Sequence, residues 1–175
     1  MFTNKNRPFY NFGRHFELDV IESRHWREFV TAKFGSSCPE NCFGRILEIT
    51  ANHPYFTQMY CHYLWDYSRE HKGELQAEDL EIVLEEIIRR ESLFYTELWD
   101  MISASERRLL KALAVTSTAS LYEKDFLVKY SLGTASSVQK ASEKLLSLDY
   151  IRKDKDGIIQ FVNPLFKQWI LFLLG

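Results

Sequence analysis

At 175 residues, 46% apolar and 26% charged, with 7 Gly and 4 Pro, the chain has the composition of an ordinary globular protein of one or two small domains. The longest apolar run, Trp169 to Leu174, is far short of the roughly 18 residues a spanning helix needs, no signal-peptide pattern opens the chain, and three cysteines do not make a disulfide framework. We expect a soluble, cytoplasmic protein with reduced thiols and no membrane partner. The formal net charge of −2 conceals an asymmetry: residues 1–100 carry 11 Lys/Arg against 17 Asp/Glu, and residues 101–175 carry 11 against 7, which points to two modules of opposite sign.

In chain order, Met1 to Phe12 is polar and aromatic with a proline at position 8, the pattern of a loop followed by a short extended piece. Residues 15–21, HFELDVI, alternate Phe16, Leu18 and Val20 against Glu17 and Asp19, a strand pattern. Ser23 to Phe34 then sets Trp26, Phe29, Val30 and Phe34 on one side of a predicted helix. After the loop Gly35-Ser36-Ser37-Cys38-Pro39, the stretch Cys42 to Ile49 does the same with Phe43, Ile46 and Leu47.

Asn52-His53-Pro54 follows as a turn. Pro54 suits the first position of a helix, where its missing N–H is unneeded and its fixed φ is already helical, and His53 falls at the N-cap. Phe56, Met59, Tyr60, Tyr63, Leu64 and Tyr67 recur at helical spacing, so residues 54–70 form an amphipathic helix with that face buried. Its N-terminus aims unpaired N–H groups and partial positive charge outward, a place for a phosphate or an adenine edge, and the same turn also reads as a capped core helix with no ligand. A fourth helix spans 77–90, with Leu80, Val83, Leu84, Ile87 and Ile88 inward. Its Ile82-Val83-Leu84-Glu85-Glu86 superficially resembles an acidic strand, but the helical spacing wins.

Two constellations invite chemistry. Cys38, Cys42, Cys61 and His62 are residue types that ligate zinc, yet their spacing spreads them over a loop and a helix face, so we expect structural thiols and no metal. No catalytic residue is expected either: none of the seven glycines is followed by Lys, so the chain holds no G-x-x-x-x-G-K-[ST] loop for phosphates and magnesium, and His53 has no carboxylate or nucleophile beside it in sequence.

Residues 91–101 form an aromatic-rich piece bridging the modules. Ser103 and Glu106 then make a capping box that starts a helix at about residue 104, with Leu109, Leu110 and Leu113 inward. Lys124–Tyr130 and Ala135–Leu146 are two helices flanking the turn Ser131-Leu132-Gly133-Thr134. Residues 150–153 and 158–162 read as a β-hairpin with a charged tip, and Asn163-Pro164 caps a last helix with apolar residues nearly all round, expected to be buried between the modules. Three helices plus a hairpin make a winged helix. Gln139, Lys140 and Lys144 on its second helix, with Arg152, Lys153 and Lys155 at the wing, are the groups that would neutralise nucleic-acid phosphates. Glu143, Asp149, Asp154 and Asp156 dilute that patch.

The Asn52-His53-Pro54 turn, preceded by Ile49-Thr50 and followed by a Trp-bearing helix, resembles the GxP turn in the lid of archaeal-type ATPases of the STAND branch of the AAA+ superfamily. The order of elements in ASSVQKASEKLLSLDYIRKD…IIQFVNPLFKQWI is similar to their C-terminal winged helix. Asn52 stands where the family has Gly, and Asn tolerates the left-handed backbone that position needs. The resemblance implies a mostly α protein with three parts: residues 1–22 leading out of an absent ATPase core, a helical lid over 23–100, and a winged helix over 101–175. It further implies a nucleotide-dependent switch in which Asn52, His53 and Pro54 close over ATP. ATP and Mg2+ would be bound only in the intact protein, on a separate P-loop core that is the chain's main partner, with an effector protein as a further partner. The alternative is a regulatory module without nucleotide chemistry, whose winged helix binds DNA or a protein.

Overall fold

The computed structural model describes residues 20–71, 73–116 and 120–175. The strand expected over 15–21 and the segment before it lie almost wholly outside these; of the strand, Val20 and Ile21 are described and are not in a ladder. Helix α1, Ser23–Phe34, buries Trp26, Val30 and Phe34, one side of three turns, and stops at Gly35, whose φ of 58° is a left-handed backbone that glycine adopts without strain. Helix α2 runs Glu40–Thr50, two residues longer at its N-terminus than the periodicity alone indicates, and buries Phe43, Ile46 and Leu47 as expected, with Cys42, Ile49 and Thr50.

Helix α3, Pro54–His71, begins at Pro54. Its apolar stripe is centred one residue away from the predicted face: Thr57, Tyr60, Cys61 and Leu64 are buried, while Phe56, Met59, Tyr63 and Tyr67 pack at the edges of the core. The reason is hydrogen bonding. The Thr57 hydroxyl lies 2.8 Å from the Thr50 hydroxyl, which is also 2.8 Å from the Ile46 carbonyl, so a polar residue sits inside with its valence satisfied. Helix α4, Ala77–Arg90, buries all five predicted residues and leaves Glu85 and Glu86 in solvent, so the acidic stretch is helical, as its spacing indicates. Tyr60 crosses from α3 to donate a 2.6 Å hydrogen bond to the Leu80 carbonyl of α4.

The bridging stretch is itself a helix, α5, Ser92–Asp100. Helix α6, Ala104–Val115, starts at the predicted capping box, with Ser103 N–H donating to Glu106 at 2.8 Å and Glu106 N–H to the Ser103 hydroxyl at 3.4 Å. Then come α7, Lys124–Lys129, and α8, Ala135–Ser147. The antiparallel hairpin of β1, Ile151–Lys153, and β2, Ile159–Phe161, follows, in the register Ile151↔Phe161, Arg152↔Gln160 and Lys153↔Ile159. Its tip is closed by Asp154, whose carboxylate accepts from the N–H groups of Asp156 and Ile158 at 3.0 and 2.8 Å, with Gly157 at φ 77°. Among the described residues the protein is therefore mostly helical, with one small hairpin.

The last helix, α9, Pro164–Phe172, holds the two halves together. Asn163 Oδ1 accepts from the N–H groups of Leu165 and Phe166, both at 3.0 Å, and Pro164, Leu165, Phe166, Trp169 and Ile170 are buried. They pack against α6, β2 and α5 on one side and against α2 and α4 on the other. Only the first two turns are enclosed: Phe172 and Leu173 are exposed, so the helix is not buried all round along its whole length. Tyr95 and Trp99 of α5 complete the seam, with ring centroids 5.6 to 6.4 Å from Phe166 and Trp169.

Candidate functional site

Helix α2 ends in two successive left-handed residues, Ala51 at φ 50° and Asn52 at φ 56°. Reversing the chain within three residues requires such a backbone, and Asn carries it at less cost than most L-residues. The turn is then locked by main-chain hydrogen bonds. His53 N–H donates to the Thr50 carbonyl at 3.0 Å, and the His53 carbonyl takes the first helical bond of α3 from Thr57 N–H at 2.9 Å, which places His53 at the cap position. The Asn52 carbonyl accepts from Ile21 N–H at 3.2 Å and from the Trp26 indole at 3.3 Å, tying the turn to the start of the described chain and to α1.

The side chains of this turn are less well satisfied than its backbone. Asn52 Oδ1 and His53 Nδ1 are both shielded from solvent and have no hydrogen-bond partner among the described residues. The His53 ring packs on Phe56 at 4.7 Å between centroids. Burial, then the positive charge of Arg152, holds His53 below the ordinary imidazole pKa, so it is neutral at pH 7 and offers one N–H donor and one lone pair rather than a cationic contact.

Arg152 arrives from the wing. It is paired across the hairpin with Gln160, so the two side chains share one face, and Gln160 lines a small cavity together with Ala51 of the turn, Glu48 of α2, and Pro164 and Lys167 of α9. Of the residues that the sequence placed in separate sets, His53 of the turn and Arg152 of the phosphate-contacting group are linked through charge: after burial, Arg152 is the second cause that lowers the His53 pKa. The remainder of that group is elsewhere. Lys153 alternates to the other face of β1, Lys155 is at the exposed tip, and Lys140 and Lys144 are exposed on α8. Gln139 is exposed too, with its amide donating to Glu143 at 2.9 Å, so part of the presumed reading face of α8 is internally bonded.

The Cys/His constellation does not converge. Cys42 and Cys61 are buried and Cys38 half-buried, whereas His62 is exposed beside Asp66 at 3.6 Å. Cys42 Sγ donates to the Leu75 carbonyl at 3.4 Å. Burial pushes the Cys38 thiol up to about 11 and the Cys61 thiol to about 12, so neither is an activated nucleophile at neutral pH. Among the described residues no group of three or more His, Cys, Asp or Glu side chains is arranged to hold a metal ion.

Periodicity did not reveal the polar ties between α5 and the C-terminal module. Arg107 of α6 donates through Nε to the carbonyls of Trp99 and Ile102, at 2.9 and 3.2 Å, and through Nη2 to Asp100 at 3.1 Å. Tyr150 donates to the Leu98 carbonyl at 2.7 Å. The only sequence signal was the residue types themselves, a Tyr and an Arg flanking aromatic positions.

Residues 93–171 match the family model of a probable winged helix domain. That stretch is a winged helix. The match begins inside α5 and ends in α9, so the helix bridging the modules is matched along with the three helices and the hairpin. No curated protein and no solved structure matches the chain. Among the described residues, no helix is long and apolar enough to cross a membrane.

Proposed function

We propose that this chain is the helical lid and winged helix of an ATP-binding STAND-type ATPase, a nucleotide-dependent switch whose P-loop core is a separate part. The observation that carries this reading is the turn between α2 and α3. It has two successive left-handed residues and a helix-starting proline, two shielded side-chain atoms without partners among the described residues, and a winged-helix arginine whose positive charge acts on His53. Unpaired polar atoms cost free energy unless a ligand, water or further chain completes them, and a helix start beside a cation suits an anionic ligand. ATP and Mg2+ would be held mainly by the core, with Asn52, His53 and Pro54 closing over the nucleotide and the winged helix clamping the nucleotide-binding core.

The sequence has no G-x-x-x-x-G-K-[ST] loop to hold magnesium and phosphates together, so ATP turnover by the chain alone should stay at background. The experiment is to isolate the chain from its native cells with everything covalently or tightly attached, then identify polypeptides and bound nucleotide. A P-loop sequence in the same polypeptide or in a stoichiometric partner supports the proposal. Recovery without either, together with a salt-sensitive affinity for DNA, assigns the chain to the regulatory-module reading instead.

A further inference from the structure

We propose that α5 belongs mechanically to the winged helix and that Glu91, the single residue between α4 and α5, is the joint at which that enlarged unit parts from the helical half. The helical half then ends at Glu91 and not at residue 100. This goes beyond the nucleotide reading and does not depend on it, because every group involved belongs to this chain.

The joint is visible in the backbone. Helix α4 ends at Arg90, α5 begins at Ser92, and Glu91 between them has φ −86° and ψ 0°. A helix needs ψ near about −42°, so the helical path is broken at this one residue. Glu91 N–H still donates to the Ile87 carbonyl, and the Glu91 carbonyl accepts from Tyr95 N–H, both at 3.0 Å. The link is therefore short and can bend but not lengthen. Glu91 is exposed, so little packing opposes a bend there.

The contacts that fix α5 come from the other side. The last four carbonyls of a helix lack donors within it. In α5 two of these are taken by side chains of the winged helix: Leu98 accepts from the Tyr150 hydroxyl at 2.7 Å, and Trp99 from Arg107 Nε at 2.9 Å. Arg107 also reaches the Ile102 carbonyl at 3.2 Å and the Asp100 carboxylate at 3.1 Å, a cation where the helix dipole favours one. The Arg107 guanidinium and the Lys111 ammonium lie 5.6 and 5.9 Å from the centroid of the Trp99 ring, which meets Trp169 at 5.7 Å. Tyr95, the buried residue of α5, meets Phe166 and Trp169 of α9. Parting α5 from this set strands helix-end carbonyls and empties an aromatic seat, whereas parting it from α4 turns one residue already out of helical geometry. The seam that opens is then the contact of α9 with α2 and α4, where the cavity lined by Glu48, Ala51, Gln160 and Lys167 already leaves the packing incomplete.

The test is native-state hydrogen exchange of the full chain, followed by NMR in rising, sub-denaturing amounts of denaturant. The amides of residues 96–100 should open with the same free energy and denaturant slope as those of α6, and differ in both from those of α4. Arg107→Gln combined with Tyr150→Phe should speed exchange at residues 96–100 by roughly fivefold or more, the worth of one ordinary hydrogen bond, and leave α4 unchanged. Residues 96–100 that open with α4, or one opening common to α4, α5 and α6, overturn the proposal. So does exchange at 96–100 that is indifferent to the double variant. If the double variant does not fold, Tyr150→Phe alone removes one hydroxyl and is read the same way.

Discussion

His53, Cys38 and Lys140 illustrate how much a residue's surroundings decide about its chemistry. A histidine at a helix start can act as a charged donor, yet burial, then the positive charge of Arg152, lowers the proton affinity of this one. The three cysteines differ in access: with Cys38 half-buried and Cys42 and Cys61 buried, a thiol reagent at neutral pH should modify Cys38 first and reach the other two only on unfolding. Mass spectrometry of the native chain checks this, and equal labelling of all three would contradict the packing. Lys140 and Lys144 lie on the solvent side of α8, so Lys140→Glu with Lys144→Glu should change stability by no more than about 0.5 kcal/mol per site in denaturant melts. If the double variant instead abolishes a salt-sensitive DNA affinity, those lysines are contacts and the DNA-binding reading gains.

At the scale of elements, caps and seams carry unequal weight. Ser103→Ala removes one member of a solvent-exposed capping box and should cost about 0.5–2 kcal/mol. Trp169→Ala empties a site between α5 and α9, where its ring meets Tyr95, Trp99 and Phe166, and should cost about 3–5 kcal/mol, so paired chemical melts should rank the second well above the first. The helices were legible because their spacing, prolines and capping residues agreed: α4 spans its predicted residues, α6 begins at its box, and Asn163-Pro164 opens α9. What the sequence concealed depended on partners far along the chain. The inward turn of α3 toward Thr57 needs the Thr50 hydroxyl, and the helical state of residues 92–100 is supported by the Tyr95 and Trp99 rings packing on α9. The candidate site was half legible. Asn52, His53 and Pro54 announced themselves by turn chemistry, but Arg152 was grouped with the wing because a strand residue's neighbours depend on how two modules dock, which no local pattern encodes.

For the whole molecule, α9 packs against both the helical part and the winged helix, and the buried apolar residues of the two form one cluster. The proposed switch would convert occupancy at the turn into a change in how the wing is held, with nucleotide binding as the input. The measurement that tests this most directly is a set of thermal melts of the intact protein, wild type, His53→Ala and Pro54→Ala, with and without ATP and magnesium. Ligand at a hundred times its Kd stabilises a folded protein by about 2.7 kcal/mol, while cap changes alone cost about 0.5–2 kcal/mol. The account predicts that both variants lose much of the nucleotide-induced rise in Tm while their apo Tm falls only slightly. An equal nucleotide-induced rise in all three proteins would contradict it and leave the turn as a helix cap.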